Sequence, residues 1–145
     1  MKRTVLVSMV VLLALAALSG CVPMSTLSAT NVRSNACKAG DNCGVFMLIA
    51  NSASNADTLI GASTSVAMSA GLHTVVKDAK GGMVMTPVEN IPVPASGSVE
   101  LKPGSLHIML MGLNKELKTG DTFLLTLKYQ KAGEMTVQVK VQPAN

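Results

Sequence analysis

Aromatic side chains are nearly missing from this sequence: among 145 residues there is no tryptophan, one tyrosine and two phenylalanines. Single-stranded nucleic acids are held by stacked rings set in a cationic groove. With only Phe46, Phe123 and Tyr129 to offer, and no basic block interleaved with them, the chain is not expected to bind nucleic acid. Histidine, the usual neutral-pH base, occurs twice, as His73 and His107. Neither lies in a motif for nucleophilic catalysis, because G-x-S-x-G, C-x-x-C, H-E-x-x-H and a glycine-rich phosphate loop leading into a helix are all absent. Enzymatic activity is therefore not expected. Long amphipathic helical patterns and internal repeats are missing as well.

What is present begins with an export signal. Lys2 and Arg3 precede an uncharged apolar run from Val5 to Leu18, too short to span a bilayer as a helix. The run ends in Leu18-Ser19-Gly20-Cys21, which resembles the lipobox of bacterial lipoproteins, and the resemblance implies that Cys21 carries the lipid and becomes the mature N-terminus. Several acyl chains on one residue suffice for stable anchoring. Much of the positive charge leaves with the signal: Lys2 and Arg3 set aside, ten Lys and Arg face eight Asp and Glu. Once Cys21 is assigned to lipid, the remaining cysteines, Cys37 and Cys43, form a pair in an oxidising compartment. Their five-residue gap suits a small stapled turn and not a redox motif; a second metal site is the alternative, with no nearby His to support it. The expected organisation is a signal over residues 1–20, a lipidated Cys and tether over 21–44, and one folded domain over 45–142.

From Val45 onward, short runs rich in Val, Ile, Leu and Met recur between Gly, Pro, Asn and Asp, at 45–51, 58–63, 71–76, 83–88, 97–101, 105–111, 122–130 and 134–141. Such spacing predicts an all-β antiparallel sandwich or barrel. The last two runs alternate most strictly, Phe123, Leu125, Leu127 and Tyr129 in one and Met135, Val137, Val139 and Val141 in the other. Lys131-Ala132-Gly133 between them predicts a hairpin.

Eight methionines follow the signal, four of them as Met83-Val84-Met85 and Met109-Leu110-Met111. On a strand, residues two apart share a face, so each M-x-M sets two thioethers side by side, and His107 joins the second pair. Methionine often merely fills a core. Thioether and imidazole together are also the soft donor set that prefers Cu(I), whereas zinc would want thiolate or carboxylate and calcium several oxygens.

The spacing of both pairs with both histidines decides how far the metal reading can be carried. His73, then Met85 twelve residues on, then His107 and Met109 after twenty-one intervening residues resembles the H(M)x10Mx21HxM signature of the PCu(A)C family of periplasmic copper chaperones. Leu59-Ile60-Gly61-Ala62-Ser63, Met85-Thr86-Pro87-Val88 and Val99-Glu100-Leu101-Lys102-Pro103-Gly104 look alike too, so that the similarity spans roughly residues 45–142. The resemblance implies a cupredoxin-like antiparallel β-sandwich of Greek-key type, and Cu(I) held by His73, Met85, His107 and Met109. It also implies delivery to the CuA centre of cytochrome c oxidase or its copper-assembly proteins. Met83 and Met111 stand as spare thioethers that the signature does not require; the optional Met after the first His is Thr74, and no His- and Met-rich C-terminal tail follows. An envelope copper buffer and a metal-free interaction lipoprotein are the competing readings, all three being a monomeric domain outside the cytoplasmic membrane. Because imidazole must be neutral to coordinate, copper retention is expected to weaken below about pH 6.

Overall fold

A computed structural model describes residues 26–143. The export signal and the lipid-bearing Cys21 expected from the sequence lie outside the described residues. Ten strands and no helix make up the described part: β1 Leu27–Asn35, β2 Cys43–Asn51, β3 Asp57–Ser63, β4 Ala67–Lys77, β5 Met83–Pro87, β6 Ile91–Val93, β7 Gly97–Leu101, β8 His107–Leu113, β9 Thr122–Tyr129 and β10 Gly133–Gln142.

The strands hydrogen-bond in the order β5-β4-β8-β2-β1-β10-β9-β3-β6, with β7 also paired to β2. One edge of β2 is shared: its start pairs with β8 and the rest with β7. The path folds back so that β3 lies against β4 and β6 against β7, which encloses a single core. Leucine, valine and isoleucine at alternate positions fill it, among them Val45, Ile49, Leu59, Ile91, Ile108, Leu110, Leu125, Leu127 and Val139, each without exposed surface. Period-2 alternation is the reason these runs are strands, since it offers one face to the core and leaves the other outside. The β9–β10 hairpin follows this rule, Phe123, Leu125, Leu127 and Tyr129 being buried while Leu124 is exposed.

All eight expected runs fall on strands, although β8 starts at His107 and not at 105. Two expectations need correction. Residues 27–35, read as part of a tether over 21–44, form β1, which is hydrogen-bonded to β2 on one side and β10 on the other. Its alternation is broken by a bulge between Thr30 and Arg33, where Asn31 has φ 53°, and only Leu27 and Ser34 are buried. The strand is therefore held by backbone bonds on both edges and leaves little hydrophobic trace in the sequence. Nor is the sheet wholly antiparallel, because β1 and β10 run parallel. Cys37 and Cys43 are joined by a disulfide across the turn that links β1 to β2, with Cα atoms 6.1 Å apart.

Candidate metal centre

Strand β8 has two unlike faces. Ile108 and Leu110 point into the core with no exposure, while His107, Met109 and Met111 take the opposite face. Register then decides which neighbours join them, since directly opposed residues share a face and a one-residue slip would separate them. In the β4–β8 pair, His73 stands opposite His107, Gly71 opposite Met109 and Ser69 opposite Met111. In the β4–β5 pair, Val75 stands opposite Met85 and Lys77 opposite Met83. His73 itself faces Pro87, so His73 and Met85 are diagonal neighbours on one face and not a directly opposed pair. All six residues, His73, Met83, Met85, His107, Met109 and Met111, thus lie on the outer side of one three-stranded stretch.

Two turns set this register. Between β4 and β5 the five residues 78–82 close a loop in which Asp78 does most of the bonding. Its Oδ1 accepts from the N–H of Lys80 at 2.8 Å and of Gly82 at 2.7 Å, and Gly81 takes the left-handed φ of 83° that the turn requires. Between β7 and β8, the N–H of Ser105 donates to the carbonyl of Lys102 at 3.2 Å around Pro103 and Gly104, the latter at φ 74°. Proline followed by a positive-φ glycine is the signature of a type II turn. That turn aims the carbonyl of Ser105 at the His107 ring, 2.8 Å from Nδ1. A carbonyl only accepts, so Nδ1 carries the proton and Nε2 keeps its lone pair for a metal ion.

The ring of His107 is buried, 4% exposed, and its centroid is 6.0 Å from that of His73, the planes inclined by 24°. The Nδ1 of His73 is buried and has no hydrogen-bond partner. A buried polar atom left unpaired is costly unless something fills the place, and a metal ion is one such occupant. Beside the rings opens a pocket of about 380 Å³ lined by Met83, Met85, His107 and Met109, with Gly44, Phe46, Val75, Pro103 and Gly104 as walls. His73 borders it without lining it. Phe46 forms the back wall. Its ring lies across Gly44, where a Cβ would come within 2.8 Å of it, and Arg33 covers its outer face at 5.8 Å. Among the described residues no three of His, Cys, Asp and Glu come together; the converging donors are imidazole and thioether, a set suited to a soft monovalent ion.

Gly71, Gly44, Phe46 and the Ser105 carbonyl were not singled out from the sequence. The Pro103-Gly104 pair is a turn signal, and a glycine inside a strand, as at 71 and 44, marks close approach of a neighbour. A Cβ on Gly71 would meet Cε1 of His73 at 3.2 Å and Cε of Met111 at 3.3 Å.

With this geometry established, comparison with known proteins gives three kinds of match. The family model described as "Putative lipoprotein LpqE-like" matches residues 27–141. The Putative lipoprotein Lxx21020 of Leifsonia xyli subsp. xyli (strain CTCB07) is 31% identical over 94 residues, 65% of this chain, and the match spans only 57% of that protein. Among solved structures, the copper-bound PCuAC domain from PmoF2 is 26% identical with a TM-score of 0.69, over 82% of this chain and 94% of that one. The solution structure of CuI-DR1885 from Deinococcus radiodurans is 30% identical with a TM-score of 0.55, over 79% of this chain and 80% of that one. Its apo form is 27% identical with a TM-score of 0.63, over 84% and 82%.

Proposed function

The chain belongs to the LpqE-like lipoprotein family, and from that premise we propose that it is a Cu(I) carrier of the cell envelope, anchored through a lipid on Cys21. The ion is its cargo, bound by His73, Met85, His107 and Met109. The observation that carries this reading is the convergence of two imidazoles and several thioethers, from three strands, on one outer face beside a pocket. Similarity to the copper-bound PmoF2 domain and to CuI-DR1885 supports it.

Four neutral ligands leave the ion its full positive charge. No thiolate competes to keep it, so a thiolate-bearing acceptor draws it off by ligand exchange. A blue-copper centre would need a Cys ligand, and Cys37 and Cys43 are bound to each other. The mouth of the pocket is open, Met83 and Met85 being 59% and 56% exposed, which suits transfer to another protein more than permanent storage. The acceptor in this reading is the CuA subunit of cytochrome c oxidase or one of its copper-assembly proteins.

Anaerobic titration against a chromophoric Cu(I) chelator tests the binding. The wild type is expected to take up Cu(I) in competition with the chelator, and His107→Ala and Met109→Ala to lose that ability. Wild-type protein that leaves all the copper with the chelator would sink the proposal. Incorporation of labelled fatty acid, expected in the wild type and absent in Cys21→Ala, tests the anchor separately.

A further inference from the structure

The two ends of the sheet order are unequally protected. At one end β6 is short, carries Pro92 at its centre and lies against β7. At the other, β5 has no strand beyond it, and all of Met83–Pro87 is exposed. Sheet edges are normally guarded by charge, proline or a bulge, because their free N–H and C=O groups pair with any strand that fits. Strand β5 holds no charged residue, its pairing with β4 runs without a register shift, and its one proline comes last. Bonds at both ends of that pairing identify its free backbone groups: the N–H of Asp78 donates to the carbonyl of Gly82 at 2.8 Å, and the N–H of Val88 to that of Leu72 at 2.9 Å. Hydrogen-bonded and non-hydrogen-bonded pairs alternate along an antiparallel ladder. Gly82, Val84, Thr86 and Val88 therefore turn their backbone groups to β4, and Met83, Met85 and Pro87 turn theirs to the open edge.

We infer that β5 is a dimer edge, paired antiparallel with β5 of a second copy of this chain about a twofold axis at Val84, in place of the monomer expected from the sequence. Met83-Val84-Met85 reads the same in both directions. This register sets Met83 of each copy opposite Met85 of the other as a hydrogen-bonded pair, with the two Val84 residues facing each other on the axis. Every free N–H of Met83 and Met85 then finds a carbonyl. Val84 and its cross-strand neighbour Val76, each 44% exposed, bring apolar surface to the axis on the face away from the methionines. Charge selects a second copy over an unrelated strand. Lys77 and Lys80 stand at the loop end of β5 and Glu89 beyond its other end, and none of the three is in an ion pair among the described residues. Asp78, the acid between the two lysines, is engaged by the N–H groups of Lys80 and Gly82. In the antiparallel dimer Lys80 falls opposite Val88 of the second copy and Ala79 opposite its Glu89, so the lysine end of each copy meets the glutamate end of the other. Pairing through the backbone edge leaves the outer face of the sheet open, and the inference does not depend on copper.

Zero-length carbodiimide coupling of the full chain, in chelator-washed membranes of expressing cells, tests this without a substitution. The reagent joins an amine to a carboxylate already touching it. Within one chain the ladder from Gly82 to Val88 keeps Lys80 and Glu89 roughly 20 Å apart, so a bond between them joins two copies. A covalent dimer containing the Lys80–Glu89 link is expected. Met83→Pro removes an N–H that β4 does not use and with it half of the interchain bonds, and should cut the yield by about 10-fold. Val84→Cys should form a disulfide dimer on diamide oxidation, since residues opposed on the axis lie within bridging distance, whereas Leu124→Cys, on the outer face of β9 and 61% exposed, should not. Absence of the Lys80–Glu89 link in the wild type would overturn the inference. Coupling of Glu89 only to other proteins, equal disulfide yields at positions 84 and 124, or a yield unchanged by Met83→Pro would overturn it as well. Circular dichroism of each purified variant confirms that the sheet is intact.

Discussion

A histidine with one ring nitrogen engaged has only the other to offer. At His107 the Ser105 carbonyl occupies the Nδ1 side, so nitrogen-detected NMR of the metal-free protein should find the Nδ1-protonated tautomer there; an Nε2-protonated ring would contradict that assignment. Asp57 carries a second prediction at this scale. It is 7% exposed, and its carboxylate accepts from the N–H groups of Thr58 at 2.7 Å, Lys131 at 3.0 Å and Ala132 at 2.9 Å. Burial alone would raise its pKa, but those three bonds and the nearby charge of Lys131 outweigh it, and the carboxyl is held below its ordinary 3.8. A depressed carboxylate stabilises the fold above its unfolded value and loses that contribution as pH falls through the folded one. Asp57→Asn should therefore cost about 1–3 kcal/mol near neutral pH and clearly less in acid below the ordinary carboxylate range. Urea denaturation at the two pH values checks this; an equal difference at both would refute it.

Strands were legible in the sequence where one face is apolar and the other wet, as in β9 and β10, because burial then imposes the alternation directly. Strand β1 was not, being paired on both edges and bulged at Asn31, and β6 is only three residues long with Pro92 at its centre. The candidate site shows the same division. Which side chains carry soft donors could be read from their types and spacing. That Met85 faces Val75 and not His73 could not, because loop bonding sets register and the Asp78 turn leaves no hydrophobic pattern. The disulfide ties the end of β1 to the start of β2, the strand that contributes Gly44 to the pocket wall. For so short a loop, chain entropy assigns the crosslink about 2 kcal/mol. Replacing both cysteines by serine should lower unfolding free energy by roughly that amount, measured by urea denaturation without reductant; an unchanged midpoint would show that the hairpin needs no crosslink.

At the scale of the whole fold, the exposed large apolar side chains among the described residues concentrate on the β4–β5 arm, where Val76, Met83, Val84 and Met85 are all more than two-fifths exposed. Peroxide should oxidise Met83 and Met85 ahead of buried Met47 and turn soft thioethers into sulfoxides. Cu(I) loading is expected to fall in step with that oxidation, followed by mass spectrometry. Full loading of protein sulfoxidised at both residues would exclude thioether ligation by this arm. The early start of the folded part also bounds where the copper can go. From Cys21 to Leu27 the backbone can stretch no further than about 20 Å. Strand β1 then runs from Leu27, opposite Asn51, to Arg33, opposite Phe46 at the pocket wall, a further ~20 Å. Were Cys21 lipidated and Cu(I) bound as proposed, lipid and cargo would thus hang toward opposite ends of one strand, on a short line. In the proposed reading, a membrane-bound acceptor would meet the ion within about 40 Å of the lipid.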